Sequence, residues 1–261
     1  MSELKCIGID IGSLATKIVL MSNGDMVDWR LNRSTYDFKR VGRDLFDDIL
    51  TKNNLSRSEV YVMSTGYGRN TIDFADDRIT EISAHARGVQ FFYPEARSVI
   101  DIGGQDSKAI LISRKNGNVI DFQMNDKCAA GTGRFLEVMA HALEIPIDEI
   151  GSLALESNKP ASISSTCTVF AESEVISLFA QGSLKKDIAA GIHKSIAKRV
   201  ASMAKRIGVE PLLVFTGGVA KNIAVKKYLE KELDFEIFQP EYPQLTGAIG
   251  AALIAKDKNA N

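Results

Sequence analysis

Two acidic turns and two cysteines are the residues of this chain whose types and spacing could do chemistry. Asp10-Ile11-Gly12 and Asp101-Ile102-Gly103 each end an apolar run, and each is followed five residues after its glycine by a lysine, Lys17 and Lys108. A strand that stops in Asp-Ile-Gly sets a carboxylate beside backbone N–H groups left free by the turn. Such turns take phosphate oxygens, and the carboxylate suits Mg²⁺ through its waters. Either turn alone reads equally well as an ordinary β-turn. Their duplication, lysine included, favours nucleotide. Cys128 precedes Gly131-Thr132-Gly133, and Cys167 lies in a polar stretch before the apolar run 169–181. Both positions are near a predicted helix start, where unpaired N–H groups attract anions and favour a thiolate.

The elements that must position these residues follow from periodicity and turn signals. Strands are expected over 5–10, 16–21 and 26–31, with Asn23-Gly24 closing a hairpin. The pattern returns as strands over 97–101, 107–113 and 119–123, with Asn116-Gly117 as the second hairpin signal. A further echo pairs 61–64 and Thr65-Gly66 with 212–215 and Thr216-Gly217, each β-rich run leading through a glycine turn towards a helix. Helices are expected over 41–51, 77–91, 134–143, 169–181 and 185–207. The last carries Ile188, Ile192, Ile196, Val200 and Met203 on one stripe. Lys194, Lys198, Arg199 and Arg206 fall off that stripe and read as a solvated face. Residues 256–261 read as a loose tail.

Composition narrows the function classes. A chain of 261 residues with 45% hydrophobic and 25% charged residues is globular, and a net charge of -1 argues against nucleic acid or an anionic membrane as partner. No apolar run reaches the length of a membrane span, and residues 1–5 show no signal-peptide pattern, so a cytoplasmic location is expected. Three cysteines in that compartment do not make a disulfide framework. Cys6 falls inside a buried strand and reads as a core residue. Cys128 and Cys167 leave three readings open: two unrelated buried thiols, a zinc site completed by His85, His141 or His193, or half of a four-thiolate iron–sulfur site that a two-fold dimer would complete.

Neither a P-loop nor a dinucleotide fingerprint is present. The order of motifs resembles instead the actin, heat-shock-chaperone and sugar-kinase ATPase superfamily: phosphate motifs at 7–17 and 99–108, an adenosine motif at 214–222 and a closing helix opened by 246–252. Residues 125–135 and 164–174 resemble the ATP-dependent activators of 2-hydroxyacyl-CoA dehydratases and the ATPase subunits of benzoyl-CoA reductases. The motifs run through essentially the whole chain, though Leu14 stands where relatives often have Thr, and 32–54 matches no motif.

The resemblance implies an α/β, two-lobed, duplicated actin-like (ribonuclease H-like) ATPase fold with the nucleotide in the interlobe cleft. Lobe I would span 1–96 plus the C-terminal helix 247–261, and lobe II 97–246 would carry the cysteines. It implies ATP or ADP, Mg²⁺ and one four-iron, four-sulfur cluster per homodimer, with Cys128 and Cys167 as ligands. Asp101, Gln105 and Asp106 would be catalytic. Asp10, Gly12, Ser13, Thr16 and Lys17 would hold nucleotide with Gly103 and Gly104. Gly131, Thr132, Gly133, Gly217, Gly218 and Gly247 would complete that set. Implied partners are an acyl-CoA dehydratase or reductase component and a ferredoxin or flavodoxin donor. The rival readings are a small-molecule kinase of this fold, with Asp101 as base, and an ATP-dependent scaffold without redox chemistry.

Overall fold

The computed structural model describes residues 5–164 and 167–259. Ser165 and Thr166, read above as polar residues leading into a helix, lie outside the described residues, as do Ala260 and Asn261 of the expected tail. The chain divides into two units, Met1–Ala96 with Ile112–Ile120 and Pro240–Asn261, and Arg97–Leu111 with Asp121–Gln239.

The first unit is built on β1 (Lys5–Ile11), β2 (Ala15–Ser22), β3 (Asp25–Arg33), α1 (Phe38–Lys52), β4 (Val60–Thr65), β5 (Asp77–Arg78) and α2 (Glu81–Phe92). Its sheet runs β3-β2-β1-β4-β5. β1 is apolar because both faces are covered: Ile7, Ile9 and Ile11 point into a core with Phe46 and Ile49 of α1, while Cys6 joins a second cluster with Ile249 and Ala252. Burial pushes the Cys6 thiol up to about 11, so it stays protonated and inert.

The second unit repeats the plan with β6 (Ser98–Ile102), β7 (Ser107–Ile112), β8 (Val119–Asn125), α3 (Gly133–Ala142), α4 (Ile150–Leu155), α5 (Thr168–Ala180), α6 (Lys185–Arg206), β9 (Leu213–Thr216), α7 (Ile223–Leu233) and β10 (Ile237–Phe238). Its sheet runs β10-β9-β6-β7-β8. The repetition extends to register. Asp10 pairs with Lys17 across the β1–β2 hairpin and with Thr65 on β4; Asp101 pairs with Lys108 across β6–β7 and with Thr216 on β9. This is a duplicated actin-like fold.

Three expectations fail locally. Residues 77–91 do not form one helix, because Asp77 and Arg78 pair in parallel with Met63 and Ser64, and the helix begins only after Thr80 caps the N–H of Ser83. The Thr65-Gly66 turn is followed by further turns rather than a helix. Its counterpart after β9 does lead, through a short 3-10 turn, into α7. Lys256–Asn259 are not a loose tail but the end of α8 (Thr246–Asn259), where Lys256 donates to the Asn23 carbonyl and Lys258 pairs with Asp77 at 2.6 Å. α8 seats on β1 and α2 through glycines: a Cβ on Gly8, Gly88 or Gly250 would strike the backbone of Ala248, Thr246 or Ala84.

Candidate functional site

In the first unit, Asp10 is buried at the end of β1, and Lys17 Nζ donates to its Oδ2 at 3.0 Å. The turn between them closes through Gly12 N–H to the Ala15 carbonyl, 3.1 Å. Two glycines press on the carboxylate from other elements. Gly66, at φ 87°, has no room for a side chain beside Asp10 Oδ1, and a Cβ on Gly247 would lie 3.0 Å from Oδ2. His85 flanks the same glycine, with Nε2 3.3 Å from that Cβ position and Nδ1 hydrogen-bonded to Thr246 Oγ1 at 3.1 Å. Of the turn's two hydroxyls, Thr16 is fully buried and bonded to Ser34, whose hydroxyl also donates to the Gly12 carbonyl. Ser13 is half-buried.

The second unit reproduces this arrangement around Asp101. Lys108 Nζ lies 3.4 Å from Asp101 Oδ2 and 2.7 Å from Asp106 Oδ2, the lysine being almost entirely buried. Thr216 donates its hydroxyl to Asp101 Oδ1 at 2.8 Å, and Gly217, at φ 88°, would carry a Cβ 3.0 Å from that oxygen. Such close approach is open only to glycine here. Gln105 is exposed at the tip of the turn. Gly103 and Gly104 do more than shape it: their carbonyls accept from the N–H groups of Gly133 (2.9 Å) and Arg134 (2.8 Å) at the start of α3. Gly133 is packed against Gly103 and Gly104, and Thr132, wholly buried, turns its hydroxyl to the Ala129 carbonyl. Gly218 starts the 3-10 turn before α7.

The cysteines occupy the same unit. Cys128 is half-buried in the turn before α3, where Asn125 Nδ2 donates to the carbonyls of Cys128 (2.9 Å) and Ala130 (3.1 Å). Cys167 is exposed and is the N-cap residue of α5, which packs against α3. Ser164 N–H and Oγ donate to Glu174, tying the approach to Cys167 back onto α5. The zinc reading loses a ligand: His193 is wholly buried, donating from Nδ1 to the Ala189 carbonyl and accepting from Asn222 Nδ2 at Nε2. Desolvation lowers its pKa to about 4, so the ring is neutral. Among the described residues no three His, Cys, Asp or Glu gather as a metal-binding group.

These two Asp–Lys turns on a duplicated fold meet a match over residues 7–255 to the BadF/BadG/BcrA/BcrD ATPase family. The chain belongs to that family. Among family relatives it is 48% identical to the 2-hydroxyisocaproyl-CoA dehydratase activator of Clostridioides difficile, covering 96% of this chain and 94% of that protein. It is 45% identical to the (R)-2-hydroxyglutaryl-CoA dehydratase activating ATPase of Acidaminococcus fermentans, covering 97% and 98%. The activator from C. difficile solved with bound ADPNP superposes with a TM-score of 0.91 over 98% of this chain and 96% of that one. Family membership makes this chain an ATPase. Sequence reading missed His85, Thr216 and Asn125 as neighbours of these groups, because each acts on a residue that only the fold brings near it or on a backbone carbonyl.

Proposed function

We propose that this ATPase is the reductive activator of a 2-hydroxyacyl-CoA dehydratase or related CoA-thioester reductase, working as a cytoplasmic homodimer. The observation that carries the reading is the hydrogen-bonded joint between the second phosphate turn and the cysteine segment: Gly133 and Arg134 donate to Gly103 and Gly104, five or more residues after Cys128. A change at the turn that meets phosphate is thereby passed to the helix start beside a thiol. The names of the relatives, activators of 2-hydroxyacyl-CoA dehydratases, supply the partner class.

The residues fit the implied groups. Glycines at 66, 217 and 247 let the backbone of neighbouring elements lie directly against Asp10 and Asp101, the close approach that a phosphate-binding turn uses. Asp10 and Asp101 would hold Mg²⁺ through water, Lys17 and Lys108 would offset phosphate charge, and Gly217, Gly218 and Gly247 would flank adenosine. Asp106 is tied to Lys108, whereas Gln105 makes no hydrogen bond among the described residues, so Gln105 is the better group to orient the attacking water. Two free thiols at neighbouring helix starts are half of a four-thiolate set, and a second copy would provide the other half. Around Cys167, Val169, Phe170, Ile176 and Phe179 of α5 are exposed, an apolar face suited to that second copy. The four-iron, four-sulfur cluster, when bound, would supply one-electron transfer at low potential, from a ferredoxin or flavodoxin to the dehydratase. The chain's own part is to hold the thiolates at helix starts and to couple their loops to the ATP turn.

Anaerobically purified protein should be brown, with about four irons per dimer. Cys128→Ala and Cys167→Ala should each remove the colour and leave ATP binding intact. Iron-free anaerobic protein that turns over ATP and phosphorylates a small acceptor would overturn the reading in favour of a kinase.

A further inference from the structure

A cavity of about 750 Å³ lies wholly within the second unit, between the end of β8, the Cys128 turn and α6. Lys127 from the turn and Lys198, Arg199 and Arg206 from α6 line it, against a single carboxylate, Asp126. None of these four cations makes an ion pair or a side-chain hydrogen bond among the described residues. Cations on a helix face ordinarily serve solubility, and the periodicity of α6 alone gives that reading. Here they border a concavity with an apolar floor of Phe135, Ile196 and Val200. The wall also holds the side chain of Gln123.

The site has built features. Arg199 is half-buried, and its Cδ would lie 3.2 Å from a Cβ on Gly131, a residue at φ 88°. Glycine there lets the arginine stem lie over the Cys128 turn. Asn125, which holds the carbonyls of Cys128 and Ala130, is part of the same wall. Two guanidinium groups and two ammonium groups over an apolar floor match a ligand with phosphate oxygens at one end and an organic body at the other.

We propose that this cavity binds a phosphate-bearing organic anion in addition to the nucleotide, touching the turn that carries Cys128. The inference stands on the cavity and its cations and does not depend on the redox reading. The full chain, saturated with a non-hydrolysable ATP analogue, would be titrated by calorimetry with coenzyme A and separately with inorganic pyrophosphate. One equivalent per chain of coenzyme A, with or without pyrophosphate binding, is expected. Binding of coenzyme A alone identifies the organic body as a recognised part, and binding of both identifies phosphate as sufficient. K198Q/R199Q should weaken binding at least tenfold without changing the affinity for the ATP analogue, and K127Q, at an exposed position, should do so with no fold perturbation. Absence of heat with both probes, or binding that survives both variants, overturns the proposal. So does retention of a polyglutamate peptide by protein that binds neither phosphate probe, because the face would then be a protein contact.

Discussion

The hydroxyl of Thr216 donates to Asp101 Oδ1 across 2.8 Å, while Thr65, the residue in the same register beside Asp10, has a buried hydroxyl with no partner among the described residues. The two halves of the duplication are thus alike in backbone and unlike in bonding. A hydrogen bond to a charged group contributes about 1.5–3 kcal/mol, whereas a buried hydroxyl left unsatisfied costs about 1–3 kcal/mol in lost hydration. Thr216→Val should therefore lower stability by about 1.5 kcal/mol or more and cut ATP turnover at least tenfold. Thr65→Val should raise stability, by about 1 kcal/mol. Urea unfolding and steady-state hydrolysis of the two variants check the contrast.

Gly217 and Gly247 separate a backbone effect from a site effect. Gly217 is at positive φ and its Cβ would meet the Ile102 carbonyl, so Gly217→Ala should destabilise by about 2 kcal/mol or more. Gly247 lies in the first turn of α8, and its Cβ would meet chiefly the Asp10 carboxylate at 3.0 Å. Gly247→Ala should keep the melting temperature within a few degrees and weaken ATP binding roughly tenfold, about 1.4 kcal/mol. Equal loss of stability in both variants would refute the distinction.

His193 sets an acid limit. Its folded pKa, about 4, lies below the ordinary value of 6.5, so the unfolded chain binds the extra proton between those pH values. Its contribution is fully present above pH 6.5 and is lost as pH falls towards 4, by up to about 3 kcal/mol. Substituting His193→Gln should flatten the stability profile between pH 6.5 and 4. A profile as steep as that of the parent protein would assign the acid loss to other groups.

The thiols should differ in reactivity. In iron-free protein at pH 8, iodoacetamide should modify exposed Cys167 first, half-buried Cys128 more slowly and Cys6 only on unfolding. Iron-loaded anaerobic protein should resist at both Cys128 and Cys167, and chelation of the metal should restore labelling. Mass spectrometry of the peptides reads each site separately.

What was legible in the chain was what neighbours decide. Asp-Ile-Gly with its lysine specified a hairpin, and Asn23-Gly24 set the next turn, so β1, β2 and their copies β6 and β7 followed within a residue or so. Helix α6 followed from its isoleucine stripe. The failures are long-range pairings. Asp77 and Arg78 abandon a helical pattern because a parallel partner is available on β4, and Lys256 and Lys258 hold α8 in place through Asn23 and Asp77. At the site, the turns were visible, whereas the partners of Asp101 and Gly247 were not: Thr216 is 115 residues from Asp101, and His85 is 161 from Thr246. The α6 cations read as a solvated face because periodicity carries no information about what lies opposite.

The seating of α8 has a consequence for the order in which the molecule is made. The first unit takes its closing helix from Pro240–Asn261, so Asp10 waits for Gly247 until the whole second unit has been synthesised. Asp121–Gln239 forms a continuous stretch that can organise earlier, while Cys6 of β1 and Met63 of β4 stay uncovered on one apolar face. A ribosome stalled with only residues up to 239 outside its exit tunnel would thus leave a chain with its cysteine helices formed and its first phosphate turn unfinished. Nascent chains arrested at that point should be protease-sensitive at β1 and resistant at α6.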